Sequence, residues 1–364
     1  MTASSGSCSG LADDVRNCVG FSVSELYLGV RNKSGNLRDL IHHSPSHRQT
    51  AMYVSSTDPW HRSVDRDATL EQPGLDMVFQ GNLTRNLPVL IPVPMLYDVP
   101  ENAAAEVRYL LARGRQLDGI EAGEEPDGQY VEAEDYGALY LQWTAAIRSV
   151  DTQSKLGGPS MSALNEDVQS WMNSFLNYLE RTQHLRDYEF FSFEWYPFDN
   201  ACSPAAANLA RAPSTLAGAL LQLRRDERLR VLPWLMTEYG YSAQGGASQV
   251  RMESALFNAE TMAQFLLLGG QRTYLYGYEP GRLKRDAPCA WGGHMLLQLS
   301  HTGRGLYPLA SYHSARLLTK EWIQPPLTSR ITCRRHRQTS RTVWEINWLA
   351  LTPCAALTIN GRSC

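Results

Sequence analysis

Two glutamates close apolar stretches where a carboxylate is costly unless it faces a polar cavity. The first is Glu125 in Gly119-Ile120-Glu121-Ala122-Gly123-Glu124-Glu125-Pro126-Asp127, where Pro126 removes a ladder N–H and ends the run. The second is Glu238 in Pro233-Trp234-Leu235-Met236-Thr237-Glu238-Tyr239-Gly240. Either residue alone also reads as a salt-bridged acid at a strand end. Together they offer what acid/base and nucleophilic chemistry requires: one carboxyl to give a proton and one carboxylate to attack.

The elements that must position them follow from periodicity. Short apolar runs alternate with helix-length amphipathic stretches, which implies βαβ units and a parallel sheet. Strands are expected over Leu87–Met95, Gly119–Glu125, Lys155–Ser160, Glu189–Tyr196, Val231–Glu238 and Arg272–Tyr278, with Thr50–Ser55 earlier and residues 18–28 as the weakest candidate. Helices are expected from Pro100 to Arg113, which Gly114 follows, from Glu134 to Val150, around Val168 to Leu179, and over 204–226 and 247–268. The stripes Tyr136, Leu139, Tyr140, Trp143, Ile147 and Val168, Trp171, Phe175, Tyr178, Leu179 read as core-facing. Eight strand–helix repeats over 18–320 fit a (β/α)₈ TIM barrel, an α/β fold whose active sites lie at the C-terminal strand ends. Residues 1–17 read as an N-terminal tail. Residues 321–364 read as a short C-terminal extension, β-like in Arg341–Leu351 and so suited to a small β appendage.

The residues also carry a family resemblance over roughly 85–280. Gly123-Glu124-Glu125-Pro126-Asp127 resembles the G-N-E-P-D motif of clan A glycoside hydrolases, and Leu235 to Gly240 resembles their T-E-(Y/F)-G motif at the seventh strand. Lys155 to Ser160 and Phe191 to Pro197 are similar to the fifth and sixth strands of β-xylosidase, α-L-iduronidase-like and cellulase-like barrels. The resemblance implies a retaining glycosidase that cleaves a β-linked bond without metal or organic cofactor. Its carboxyl groups would lie about 5–5.5 Å apart. Glu125 would be the acid/base and Glu238 the nucleophile. Glu124 stands where the family has Asn, which alters the 2-hydroxyl contact or makes Glu124 itself the reactive acid. Glu194 stands where relatives often have His, to bind a sugar hydroxyl or pair with an Arg. Tyr196 is placed to hydrogen-bond the nucleophile. Trp60, His61 and Arg62 follow the second strand, Arg62 as partner of the nucleophile and Trp60 as a stacking or rim residue. Tyr276, Tyr278 and Glu279 end the eighth strand, where Tyr replaces the usual Trp, and Trp291 follows.

Composition narrows the partners. The chain has 364 residues, 43% of them apolar, and a formal net charge of −3. That charge argues against nucleic acid, which calls for a basic face, while the resemblance implies an oligo- or polysaccharide or glycoside as substrate. Arg334-Arg335-His336-Arg337 reads as a solvated loop, and His42, His43 and His47 as surface residues. No apolar run reaches the length of a membrane span, and the first twenty residues do not read as a signal peptide. Seven cysteines include no metal spacing; Cys202 and Cys289 fall in loops that a barrel brings to one rim, as a disulfide or as two small hydrophobes. The triplets at Asn32 and Asn82 fit glycosylation sites only in a secreted chain. Two readings compete with the enzyme. One is a carbohydrate-binding pseudoenzyme that keeps the cleft without turnover. The other is a metal-dependent lyase using Glu125, Glu194 and Glu238.

Overall fold

The computed structural model describes residues 79, 84, 87–93, 95, 100–129, 131–200, 203–243 and 246–277. Beyond these it describes 281, 292–293, 296–300, 305–321, 331–332 and 347–348. Strand and helix alternate along the chain. They run β1 (Val89–Val93), α1 (Pro100–Ala112), β2 (Leu117–Ala122), α2 (Ala133–Arg148), β3 (Lys155–Met161), α3 (Glu166–Arg181), β4 (Phe190–Trp195), α4 (Ala205–Leu223), the single turn α5 (Glu227–Arg230), β5 (Trp234–Tyr239), α6 (Met252–Leu267) and β6 (Arg272–Leu275). These six strands make one sheet in chain order. Pairing is parallel from β1 through β4 and from β5 to β6. Helices between parallel neighbours are what such crossovers demand. The earlier strands expected at 18–28 and Thr50–Ser55 lie outside the described residues, as do Cys202 and Cys289.

The fold divides into two compact units, Met1–Phe193 and Glu194–Cys364. In the first unit, α3 starts at Asn165, whose side chain accepts a bond from Val168 N at 2.9 Å, satisfying a donor that the helix itself cannot. The α3 face of Val168, Met172, Phe175, Leu176 and Leu179 is buried. Phe175 packs edge-on against Tyr136, Tyr140 and Tyr188, with centroids at 5.1, 5.7 and 5.2 Å. Both expected aromatic stripes therefore serve mainly as core. The Tyr136 hydroxyl also ties its helix to the end of β2, donating to Ala122 O at 2.6 Å, and Tyr188, just before β4, donates its hydroxyl to Gly158 O within β3 at 2.7 Å. Gly157 must be glycine, because a Cβ there would meet Phe190 O at 2.4 Å.

In the second unit, Phe198, Tyr241 and Phe257 form an aromatic core with centroids 5.1–5.7 Å apart. Asn208 on α4 donates to Tyr241 Oη at 2.8 Å. Trp234 Nε1 donates to Leu229 O at 2.8 Å, which fixes α5 against the start of β5. Helix α6 begins at Met252, later than the sequence pattern suggests, because Ala247–Val250 forms a 3₁₀ turn and Arg251 is extended. An antiparallel pair that the periodicity does not show follows: β7 (Leu297–Leu299) and β8 (Leu306–Pro308), then α7 (Ala310–Arg316). In the expected β-like extension, β9 (Ile331–Thr332) pairs antiparallel with β10 (Asn347–Trp348). Among the described residues no helix is long and apolar enough to cross a membrane.

Candidate active site

The acidic motif of the first unit sits in a tight turn past the end of β2. That strand ends at Ala122, so Glu125 is not a strand-end residue as expected; it lies in the left-handed region at φ 45°. The turn explains why. Glu125 N donates to Ser160 O at 3.0 Å, and Glu125 O accepts from Gln129 N at 3.0 Å, closing the chain over Pro126 to Gly128. A left-handed conformation costs a non-glycine residue about 1–2 kcal/mol, and such strain persists where the surroundings enforce it. Here the enforcement is visible. Gln129 Nε2 donates to Glu124 O at 2.8 Å, and Gly123 N donates to Val93 O at 3.1 Å. Asp127 accepts from Ser162 N at 3.1 Å and from Ser162 Oγ at 2.7 Å. Burial nevertheless pushes the Asp127 carboxyl above the usual carboxylate range, outweighing those bonds. Glu124 and Glu125 are both half-buried. The Glu125 side chain lies over Gly128: a Cβ there would stand 3.7 Å from Glu125 Oε2.

The end of β3 beside this turn is also irregular. Its register with β4 breaks between Gly158 and Met161. Ser160, at φ 54°, turns its N–H to Ser192 Oγ at 2.9 Å instead of to a ladder carbonyl.

The second unit gathers the other expected residues around Glu238. The β5–β6 register breaks between Met236 and Tyr239, the stretch that holds Glu238. Irregularities of this kind re-aim a side chain next to active sites. Tyr196, just past β4, donates its hydroxyl to Glu238 Oε2 at 2.9 Å. Burial, and then the charges of Glu238 and Glu194, push the Tyr196 hydroxyl far above its usual range, so it remains a donor at any pH the protein meets. Tyr276, just past β6, packs edge-on against Tyr196 at 6.3 Å. Gly240 makes room for that tyrosine, since a Cβ there would meet the Tyr196 ring and Gln249 Nε2 at 3.0 Å. Glu194 is 4% exposed, and its carboxylate oxygen lies within 4.8 Å of one from Glu238. Each of the two carboxylates presents an oxygen that could serve as a ligand to one cation.

Glu238, Tyr196, Glu194 and Tyr276 are thus brought together. Glu124 and Glu125 lie in the turn of the first unit. Trp60, His61, Arg62, Tyr278, Glu279 and Trp291 fall outside the described residues. Sequence reasoning gave no part to Asp199, whose Oδ1 accepts from Ser242 Oγ at 3.1 Å and Ala243 N at 3.0 Å, bracing the loops after β4 and β5. No periodicity or spacing signals such a tie.

Solved structures resemble the fold over part of the chain. A GH51 arabinofuranosidase from Xanthomonas axonopodis pv. citri superposes with a TM-score of 0.50 at 11% identity, over 75% of this chain and 61% of that one. A family 39 glycoside hydrolase from Bacteroides cellulosilyticus WH2 gives 0.46 at 14% identity, over 77% and 61%. A glucosidase from Croceicoccus marinus gives 0.44 at 17% identity, over 56% and 45%. All three are glycoside hydrolases, and the likeness is one of fold. The chain spans 45% to 61% of the length of these structures. No family profile matches the chain, and no curated protein matches its sequence.

Proposed function

We propose that the chain is a glycoside hydrolase that cleaves a β-linked bond with retention, on a (β/α)₈ barrel spanning 18–320. The observation that carries the reading is the 2.9 Å bond from Tyr196 Oη to Glu238 Oε2, set where the β5–β6 register breaks. A donor aimed at one carboxylate oxygen favours the ionised form and leaves the other oxygen for attack. Glu238 is the nucleophile in this reading. Glu125 protonates the departing glycosidic oxygen as Glu238 bonds to the anomeric carbon. Glu125 then takes a proton from water, which attacks the same carbon and releases Glu238. Glu124 is the other acid of that turn suited to the proton-transfer role. Tyr276 stands beside the reacting sugar. Trp60, His61, Arg62, Tyr278, Glu279 and Trp291 complete the saccharide cleft.

The test is hydrolysis of a panel of aryl glycosides and polysaccharides by wild type and Glu238→Gln, with the first-formed anomer read by NMR. Expected is turnover by the wild type with the substrate's own anomeric configuration, reduced by orders of magnitude in the variant. Equal turnover in both proteins removes Glu238 from the reaction. Saccharide binding without turnover by the wild type points to a binding protein instead.

A further inference from the structure

A line of buried polar side chains runs from α7 through α6 to the Tyr196 ring, and the reaction scheme gives it no part. Gln249, Ser254 and Ser311 are 4%, 1% and 4% exposed, on the 3₁₀ turn, α6 and α7. A buried amide or hydroxyl is costly unless it is hydrogen-bonded. Ser311 Oγ donates to Ser254 Oγ at 3.1 Å, and Ser254 Oγ donates to Gln249 Oε1 at 3.3 Å. A hydroxyl has a single proton to give. Ser254 gives its own to Gln249 and accepts that of Ser311, so the direction of the chain is set. It also sets the Gln249 amide. With the oxygen bonded to Ser254, Nε2 is left on the side of Gly240: a Cβ on Gly240 would stand 3.0 Å from Gln249 Nε2 and 3.0 Å from the Tyr196 ring. Gly240 is itself held, since its N–H donates to Trp195 O at 3.2 Å.

We propose that Gln249 is a positioning residue for the Tyr196–Glu238 pair. Its amide, fixed by Ser254 and Ser311, fills the space beside Gly240 and limits how far the Tyr196 ring can swing. Tyr276 packs edge-on against the same ring at 6.3 Å. Held by both neighbours, Tyr196 Oη stays on Glu238 Oε2 at 2.9 Å. Hydrogen bonds weaken steeply as their angle bends, so a small rotation of the ring is enough to lose this one. The far end of the line is fastened as well: Ser314 Oγ donates to Ala255 O at 3.1 Å, which ties α7 to α6 next to Ser254. The seat of α7 is thereby felt at Glu238. The effect of Gln249 on turnover rests on the proposed function, whereas its hold on Tyr196 does not.

The test is carbon-13 NMR of the protein with tyrosine labelled at the ring carbon that bears the hydroxyl. The Tyr196 signal is the one lost in Tyr196→Phe, and circular dichroism checks folding. Expected in Gln249→Ala is a displaced Tyr196 signal, while those of Tyr140 and Tyr188, in the first unit, stay in place. A Tyr196 signal that stays, or that moves only together with those two, overturns the proposal. Should Gln249→Ala fail to fold, Ser254→Ala, which removes the hydroxyl that orients the amide, is read in the same way. On a glycoside substrate Gln249→Ala should lower kcat/KM by roughly 10- to 100-fold. It should have no further effect in a Tyr196→Phe background, because residues that act through one another do not add. The same fold-loss in both backgrounds overturns the role. Absence of turnover by the wild type sinks the proposed function and leaves the NMR signal to decide on Gln249. An unmoved Tyr196 signal with an active wild type and an inactive Glu238→Gln sinks only the role of Gln249.

Discussion

Tyr196 does at the residue scale what no strand or helix does. Its hydroxyl donates to Glu238, and the acids around it keep it protonated. Hydrogen bonds to charged groups contribute about 1.5–3 kcal/mol. Tyr196→Phe removes the donor and nothing else, so kcat/KM on a glycoside substrate should fall by roughly 10- to 150-fold. The loss also has a direction in pH. Without the donor the ionised form of Glu238 is less favoured, so the acid limb of the profile moves to higher pH. An unchanged kcat/KM with an unchanged acid limb would show that the bond does not serve Glu238 in the reaction. Glu238 stood out in the sequence because an apolar strand finished in a carboxylate, and the family resemblance placed Tyr196 within reach of it, as the 2.9 Å bond has it. The setting of Glu125 did not stand out. Its left-handed turn depends on the Ser160 carbonyl, contributed by a strand end far along the chain. The residue before a proline is expected to be extended, and a tertiary contact overrides that preference.

The same contrast holds for elements. The six expected strands that fall on described residues are present with ends displaced by at most three residues: β2 starts two residues earlier, β3 and β5 end one later, and the other displaced ends are shortened by one to three, because runs of branched and aromatic residues read clearly when both faces are buried. The hairpin of β7 and β8 was missed, since strands of three residues carry no period to detect. Register was also invisible, and register is what the site uses: β3–β4 breaks beside the Glu125 turn and β5–β6 breaks at Glu238. Close approach of β3 to β4 depends on a missing side chain. A Cβ on Gly157 would stand 2.4 Å from Phe190 O and 2.5 Å from the Phe190 ring. Backbone cannot yield as a flexible side chain can, so Gly157→Ala should destabilise the protein by about 1–3 kcal/mol or more. Urea unfolding checks this through the midpoint; a midpoint equal to that of wild type would mean that β3 and β4 separate at little cost.

Over the whole molecule, buried and bonded carboxyls of opposite sign set how stability follows pH. Asp226 is held below the usual carboxylate range chiefly by the Arg228 guanidinium, at 2.7 Å. Asp151 is held low as well: burial works against it, but bonds from Ser154 and Gln153 prevail. A lowered acid stabilises the fold above its unfolded value, near 3.8, and that contribution is lost as pH falls through the folded value. Asp127 runs the other way. Burial raises it above 3.8 despite two bonds from Ser162, so the folded protein holds this proton more tightly than the unfolded chain. Its contribution is fully present below the unfolded value and declines as pH rises through the folded one. Asp127→Asn abolishes that dependence while keeping an oxygen to accept from Ser162. The stability difference, wild type minus variant, should therefore be larger near pH 4 than at pH 7 by urea unfolding at both. A difference that is the same at the two pH values, or smaller at the acidic one, would place the Asp127 carboxyl in its ordinary range. The turn that carries Glu124 and Glu125 would then rest on an ionised aspartate fully compensated by Ser162.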